Sequence, residues 1–545
     1  MAFNSIEFMI FLPAVYLLYR FMNLRWQNLM LLAASYLFYG WWDERFLFLI
    51  VLSTAIDLSA GIMIDQGRLR IIDRAKASAW TLLSAGAFLG VNWDASTWSE
   101  KFNHSLGMQY CGGVLLLVIA GNLLYPWLVK LPDARRRSVF LFISIAANLG
   151  LLGFFKYCNF FIDSAEDVLG AMGLNAQGLR LDIVLPVGIS FYTFQTMSYT
   201  IDIYRRQLKA THHFLDFALF VSFFPQLVAG PIERASNLLP SILHKRTINF
   251  DQSMRGLFLI LLGLFKKIGI ADSVALAVNS VYLTKGDVTS LDIVAATVLF
   301  AVQIYCDFSG YSDIARGCAK IMGIELMTNF RLPYVSRSPS EFWTRWHISL
   351  SSWLRDYLYS PLGGSRGRKA MIYRNLLLTM LLGGLWHGAG WNYVLWGAYQ
   401  GSILCIYRLL GIGTRRASKD EIQPSPSIIR RLLGVANMLF FFAITCYGWL
   451  LFRAVSFEQI IEFTSQLFTS FGDLGAGMTM RKPTLAGMVG LLVLITYEFL
   501  EYNFKDTCFY RRFPVPIRAG LYALMIFVIL MGTSNAPVQF IYFQF

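Results

Sequence analysis

The chain is 545 residues long, 56% hydrophobic and only 15% charged, with a mean hydropathy of +0.52. A soluble globular protein carries about 25% charged residues, so this composition excludes a string of soluble domains and points to the membrane. The formal charge of +14 does not make the chain a nucleic-acid binder. Its basic residues sit in short links between apolar runs and never interleave with aromatics on a soluble domain.

Apolar windows of roughly the length that crosses a bilayer recur near 6–22, 27–42, 46–64, 78–92, 110–129, 139–162, 183–203, 214–230, 254–275 and 290–306. More follow near 374–388, 391–410, 433–452, 484–500 and 519–536. Several are short or broken by Pro or Gly, so they predict an all-α polytopic protein with about eleven to fifteen helices. The first run, opening on "MAFNSIEF", has no basic leader region and no small-residue cleavage site, unlike a signal peptide. Seven cysteines lie singly, without CxxC or CxxH spacing, so neither a metal site nor a disulfide framework is expected.

Lys and Arg accumulate in cytoplasmic links. That assigns 65–76, 130–138, 204–209, 414–431 and 510–518 to the inside. The segment 163–182 holds Asp163, Glu166, Asp167 and Asp182 against Arg180 alone, and goes outside with 93–109 and both termini. Some of the basic surplus can meet anionic lipid headgroups.

Polar groups at membrane depth are costly and mark function by default. The span 185–207 carries Ser190, Tyr192, Thr193, Gln195, Thr196, Ser198, Tyr199 and Asp202, and must face protein or a cavity. "YCDFSGYSDIARG" (305–317) gathers Asp307, Ser309, Tyr311, Ser312, Asp313 and Arg316. These can line a substrate path or form a structural Asp–Arg network, with Asp313 and Arg316 as a helical pair. Of six histidines, His104, His212, His213 and His244 fall in links and read as solvated. In "EFWTRWHISLSSWLRDYLY" (341–359), Glu341 and Arg345 can pair, and Trp343, His347, Leu350 and Leu354 share one helical face. Spacing alone also allows His347 to be a satisfied core residue. "LLGGLWHGAGWNYVLWG" (381–397) sets His387 among apolar residues and glycines, where an imidazole needs a partner or a task. The aromatic tail "SNAPVQFIYFQF" (534–545) is either an interfacial anchor or a segment folded back into a central opening.

Taken together, "LPVGISFYTFQTMSYTIDIYR", "FFPQLVAGPI", "DFSGYSDIARG", "NFRLPYVSRSPSEFWTRWHISLSSWLRDYLYSPLGG", "RNLLLTMLLGGLWHGAGWNYVLWG" and "FIYFQF" resemble the membrane-bound O-acyltransferase (MBOAT) family. The likeness is to its bacterial branch, which contains the membrane subunit of alginate O-acetylation. It implies a single integral-membrane domain over 1–545 with a catalytic core at 185–400, while the segment around 75–135 is extra relative to the commonest bacterial pattern and adds a helical pair. It also implies a ring of helices with re-entrant pieces around a central tunnel, in the bacterial inner membrane. By the same resemblance His387 is the catalytic histidine and His347 a second functional one. Asp307, Ser309, Tyr311, Asp313, Arg345, Trp346, Trp386 and Asn392 are candidates for the tunnel lining.

The chemistry so implied is O-acetylation of an exported polysaccharide, alginate-like or otherwise cellulose or peptidoglycan, with cytosolic acetyl-CoA as donor and no metal. His387 acts as general base, and Lys266, Lys267, Arg366 and Arg368 are candidates for holding the CoA phosphates. If the tail folds back, Tyr542 can serve as an acyl relay to a separate periplasmic transferase. D-alanyl transfer to teichoic acid is the rival within the same fold. A transporter or flippase is the rival outside it, disfavoured by the lack of an internal repeat.

Overall fold

Inside lipid a backbone must satisfy its own hydrogen bonds, and every regular element among the described residues is helical. The computed structural model describes residues 1–102, 104–174, 178–283, 288–412, 428–469, 479–532 and 540–541. Seven segments among them are long and apolar enough to cross a membrane, from Glu44–Asp65 to Val515–Gly532. That is fewer than the apolar windows suggest. Helices such as α1 (Ile6–Arg20), α2 (Leu24–Gly40) and, further on, Ile189–Tyr204 run only 15, 17 and 16 residues, short of the roughly 20 that span a bilayer. The chain is a multi-pass membrane protein, and its contacts divide it into two units.

The first unit is Met1–Gly256 with Cys318–Leu326. Its centre is α3 (Leu47–Asp65), packed by α4 (Ile71–Phe88), α6 (Asp133–Leu152), α8 (Ile189–Tyr204) and α9 (Phe214–Ser222). Helix α5 (Ser105–Val129) lies against α4, and α7 (Cys158–Ala171) continues α6 through a wide turn at Gly153–Tyr157. The polar span is buried against protein, as its hydroxyls require: Thr196, Ser198 and Thr200 on α8 are fully enclosed. Thr196 and Thr200 join a network around a carboxylate that the sequence reading did not single out. Asp57 accepts hydrogen bonds from Ser144 at 2.6 Å and from Asn148 at 2.9 Å, while Thr196 donates to Asn148 and Thr200 bonds Ser144. His213 and His244 are exposed, whereas His212 is half-buried and bonded to Asp73 at 2.8 Å.

The second unit is Leu257–Gly317 with Met327–Phe545. Its described helices include the end of α10 (Phe250–Leu264), α11 (Asp272–Tyr282), most of α12 (Ser290–Ile321), α13 (Pro339–Trp343), α14 (Ile348–Leu354), α15 (Lys369–His387), α16 (Trp391–Leu409), α17 (Ile428–Arg453), α18 (Phe457–Thr469), α19 (Leu485–Phe504) and α20 (Val515–Gly532). Two glycines let α10 and α12 touch backbone to backbone. A Cβ on Gly263 would lie 2.5 Å from the Gly310 carbonyl oxygen, and one on Gly310 would lie 2.7 Å from that of Gly263. Just beyond the crossing, a wide turn at Phe265–Ala271 aims two buried lysines inward. Lys266 meets Asp313 at 2.9 Å, and Lys267 meets both Asp272 and Asp307 at 2.8 Å. These contacts correct one expectation. Ammonium groups already neutralised inside the fold cannot hold CoA phosphates, whereas Arg366 and Arg368 are exposed.

Candidate functional site

The site lies within the second unit and starts from a helical hairpin. Helix α15 ends on His387 because Gly388 turns extended (φ −158°), and Gly390 opens α16. The glycine run of 381–397 brings the two helices together. A side chain on Gly384 would strike the Tyr393 carbonyl at 2.2 Å, and one on Gly397 the Met380 carbonyl at 2.5 Å. So packed, His387 is 5% exposed, with ring centroids of Trp386 and Trp396 both 5.1 Å away and Phe452 at 5.4 Å. Asn392 bonds the carbonyls of Phe452 and Ala454 through Nδ2, at 3.4 and 3.3 Å, which fixes the hairpin against the end of α17.

His347 reaches the same place from a different block, and not on the continuous helix that its spacing suggests. The segment 341–359 breaks into α13 and α14, and His347 stands between them in the left-handed region, φ +42° and ψ +55°. A non-glycine residue there carries backbone strain and persists only where its surroundings impose it. Asn329 supplies that constraint. Its carbonyl accepts the Ile348 N–H at 2.9 Å, and its Oδ1 accepts the Ser349 hydroxyl at 2.6 Å and amide at 3.3 Å. Arg331 N–H donates to the Arg345 carbonyl at 3.0 Å, so residues 329–331 run along the break. Tertiary hydrogen bonds overrule the helical periodicity here. Asn329 and Phe308 are site residues that the sequence reading missed; Asn329 lies in a quoted motif, but nothing in its spacing marks it.

The turn buries His347 completely, edge-on to Phe308 at 4.6 Å and 5.8 Å from Trp386. Two imidazoles from blocks forty positions apart thus share one indole, Trp386. Trp346 belongs to the packing beneath them, stacked on Phe342 at 5.5 Å and against Trp449 at 4.8 Å. Arg345 forms the expected pair with Glu341 at 2.9 Å and is half-buried.

Helix α12 supplies a second wall. Asp307, Ser309, Tyr311 and Asp313 are all buried on it. Asp313 joins Lys266 and Arg316, the latter at 3.3 Å, so this residue takes the Asp–Arg network reading. Asp307 and Tyr311 meet the C-terminal tail instead. Asp307 Oδ2 accepts the Ile541 N–H at 2.8 Å, and the Phe540 ring lies 4.6 Å from Tyr311. Tyr542 lies outside the described residues. Among the described residues no group of three or more His, Cys, Asp or Glu side chains is arranged to hold a metal.

Comparison with known proteins gives this arrangement a class. Residues 171–417 match the MBOAT, membrane-bound O-acyltransferase family. A probable alginate O-acetylase of Pseudomonas aeruginosa is 36% identical over 520 residues, covering 95% of this chain and 84% of its own. A probable alginate O-acetylase of Pseudomonas putida is 34% identical over 568 aligned residues and covers 100% of both chains. The peptidoglycan O-acetyltransferase of Helicobacter pylori is 34% identical over 382 residues, covering 64% of this chain and 69% of its own. The class is that of bacterial multi-pass membrane acyltransferases. The chain belongs to the membrane-bound O-acyltransferase family and is closely related to these probable alginate O-acetylases.

Proposed function

We propose that the protein moves an acetyl group from cytosolic acetyl-CoA across the bacterial inner membrane for O-acetylation of an exported polysaccharide. The observation that carries this reading is the pair His347 and His387, both packed against Trp386 deep in an aromatic bed. Two relatives that are similar over most of this chain are probable alginate O-acetylases, which favours an alginate-like acceptor, while the Helicobacter relative acts on peptidoglycan. The ring and tunnel expected for the family belong to this proposal, as does the inside assignment of the basic links.

The thioester arrives from the cytoplasmic side, with Arg366 and Arg368 available to its phosphates. His387 takes the proton of an attacking hydroxyl, an O–C bond forms at the acetyl carbonyl, and the C–S bond breaks. The CoA thiolate leaves and is protonated. General-base assistance of this kind contributes about 10²- to 10⁴-fold, and the apolar surround excludes water that would hydrolyse the thioester. The hydroxyl is that of Tyr542, an acyl relay, which then passes the acetyl group to the polymer through a separate periplasmic transferase.

The test is incubation of the purified chain in detergent with radiolabelled acetyl-CoA. Release of CoA with label on the C-terminal peptide is expected, and Tyr542→Phe should lose that label. Absence of any acetyl-CoA turnover would favour transport or D-alanyl transfer.

A further inference from the structure

The contact between the tail and α12 is built to hold a main chain. Lys267 is shared by two buried carboxylates, Asp272 and Asp307, each 2.8 Å from its ammonium. The ammonium meets Asp307 at Oδ1, and the other oxygen of that buried carboxylate is costly to enclose without a further donor. The backbone N–H of Ile541 is that donor, at 2.8 Å from Asp307 Oδ2. Hydrogen bonds to an ionised acceptor are about twice as strong as neutral ones.

A backbone amide alone does not choose which tail residue docks. Phe540 supplies the register, with its ring 4.6 Å from Tyr311 and 6.1 Å from Phe308. Phe308 is the same ring that meets His347 edge-on at 4.6 Å. Asp307 and Tyr311, one helical turn apart, therefore grip two successive tail residues, and Ile541 is left 2% exposed.

We propose that Asp307, held by Lys267, is a positioning residue, a latch for the main chain of the C-terminal tail that fixes its register beside the histidine pair. The significance of that register rests on the relay reading above, since the residue following Ile541 in sequence is Tyr542.

Docking is measured apart from chemistry by hydrogen exchange of the C-terminal peptide in the full-length protein, read by mass spectrometry. Ile541→Pro removes the donated N–H and leaves Lys267 and Asp307 in place, and Ile541→Val is its control. Loss of a hydrogen bond to a charged group corresponds to roughly a tenfold to hundredfold shift. Exchange should accelerate by that factor in Ile541→Pro and in Asp307→Ala, but not in Ile541→Val. The double variant should exchange no faster than either single one, because both break the same bond. Should Asp307→Ala fail to fold for want of a partner to Lys267, Ile541→Pro still decides. Wild-type exchange in Ile541→Pro, or additive effects of the two changes, would overturn the latch. Label from acetyl-CoA on the tail is scored in parallel. Tail release with labelling undiminished keeps the latch and defeats the relay, whereas release with labelling lost supports both.

Discussion

His347 is the residue whose environment departs most from what its neighbours predict. Its left-handed backbone is imposed from outside the segment by Asn329, itself 1% exposed and donating to Ser312 at 3.1 Å. Asn329→Ala should therefore act twice. It leaves the Ser349 hydroxyl and amide without their acceptor, at a cost of about 1–3 kcal/mol, and frees His347 to relax toward a helical conformation. The measurement is thermal unfolding in detergent beside acetyl-CoA turnover, and turnover should fall further than stability alone accounts for. A fully active, equally stable variant would remove Asn329 from the account. At this scale much was legible in the sequence. Both histidines and Trp386 come from quoted runs, and the Glu341–Arg345 and Asp313–Arg316 pairs form at the expected helical spacing. What periodicity could not reveal is any bond made by distant residues: Asn329 to the His347 turn, or Lys266 and Lys267 to carboxylates on α11 and α12.

Among the elements, the α15–α16 hairpin is set by the absence of side chains. Gly384 and Gly397 are where each helix touches the other's backbone, so a larger residue forces the pair apart and tilts His387 away from Trp396. Gly397→Leu should destabilise by about 1–3 kcal/mol or more, as overpacking does, with acetyl transfer lost in whatever protein remains folded. Gly121→Leu is the comparison, since nothing lies within 4 Å of a Cβ there, and it should leave the unfolding temperature unchanged. The glycine-rich composition of 381–397 was plain in the sequence, but not which glycines meet which carbonyls. Elements were otherwise read well where they were long and apolar. They were misread where a helix was cut, as at 341–359, because a break held by tertiary bonds leaves the hydrophobic pattern intact.

For the whole molecule, the charge pattern assigns sides that hydropathy alone cannot. Single cysteines in 163–182 should react with a membrane-impermeant thiol reagent in intact spheroplasts, in a background cleared of accessible native cysteines. Those in 65–76 or 414–431 should react only after lysis. The opposite pattern would exchange the donor and acceptor sides. The proposed reading, with an acetyl-CoA donor inside and a polymer outside, requires a path between two faces and assigns its chemistry to the histidine pair. The most direct measurement is therefore transfer of radiolabelled acetyl from acetyl-CoA by purified His387→Ala beside the wild-type protein. With unfolding temperature near that of the wild type, transfer should fall by about 10²- to 10⁴-fold; wild-type transfer by the alanine variant would contradict the assignment of His387 as the base.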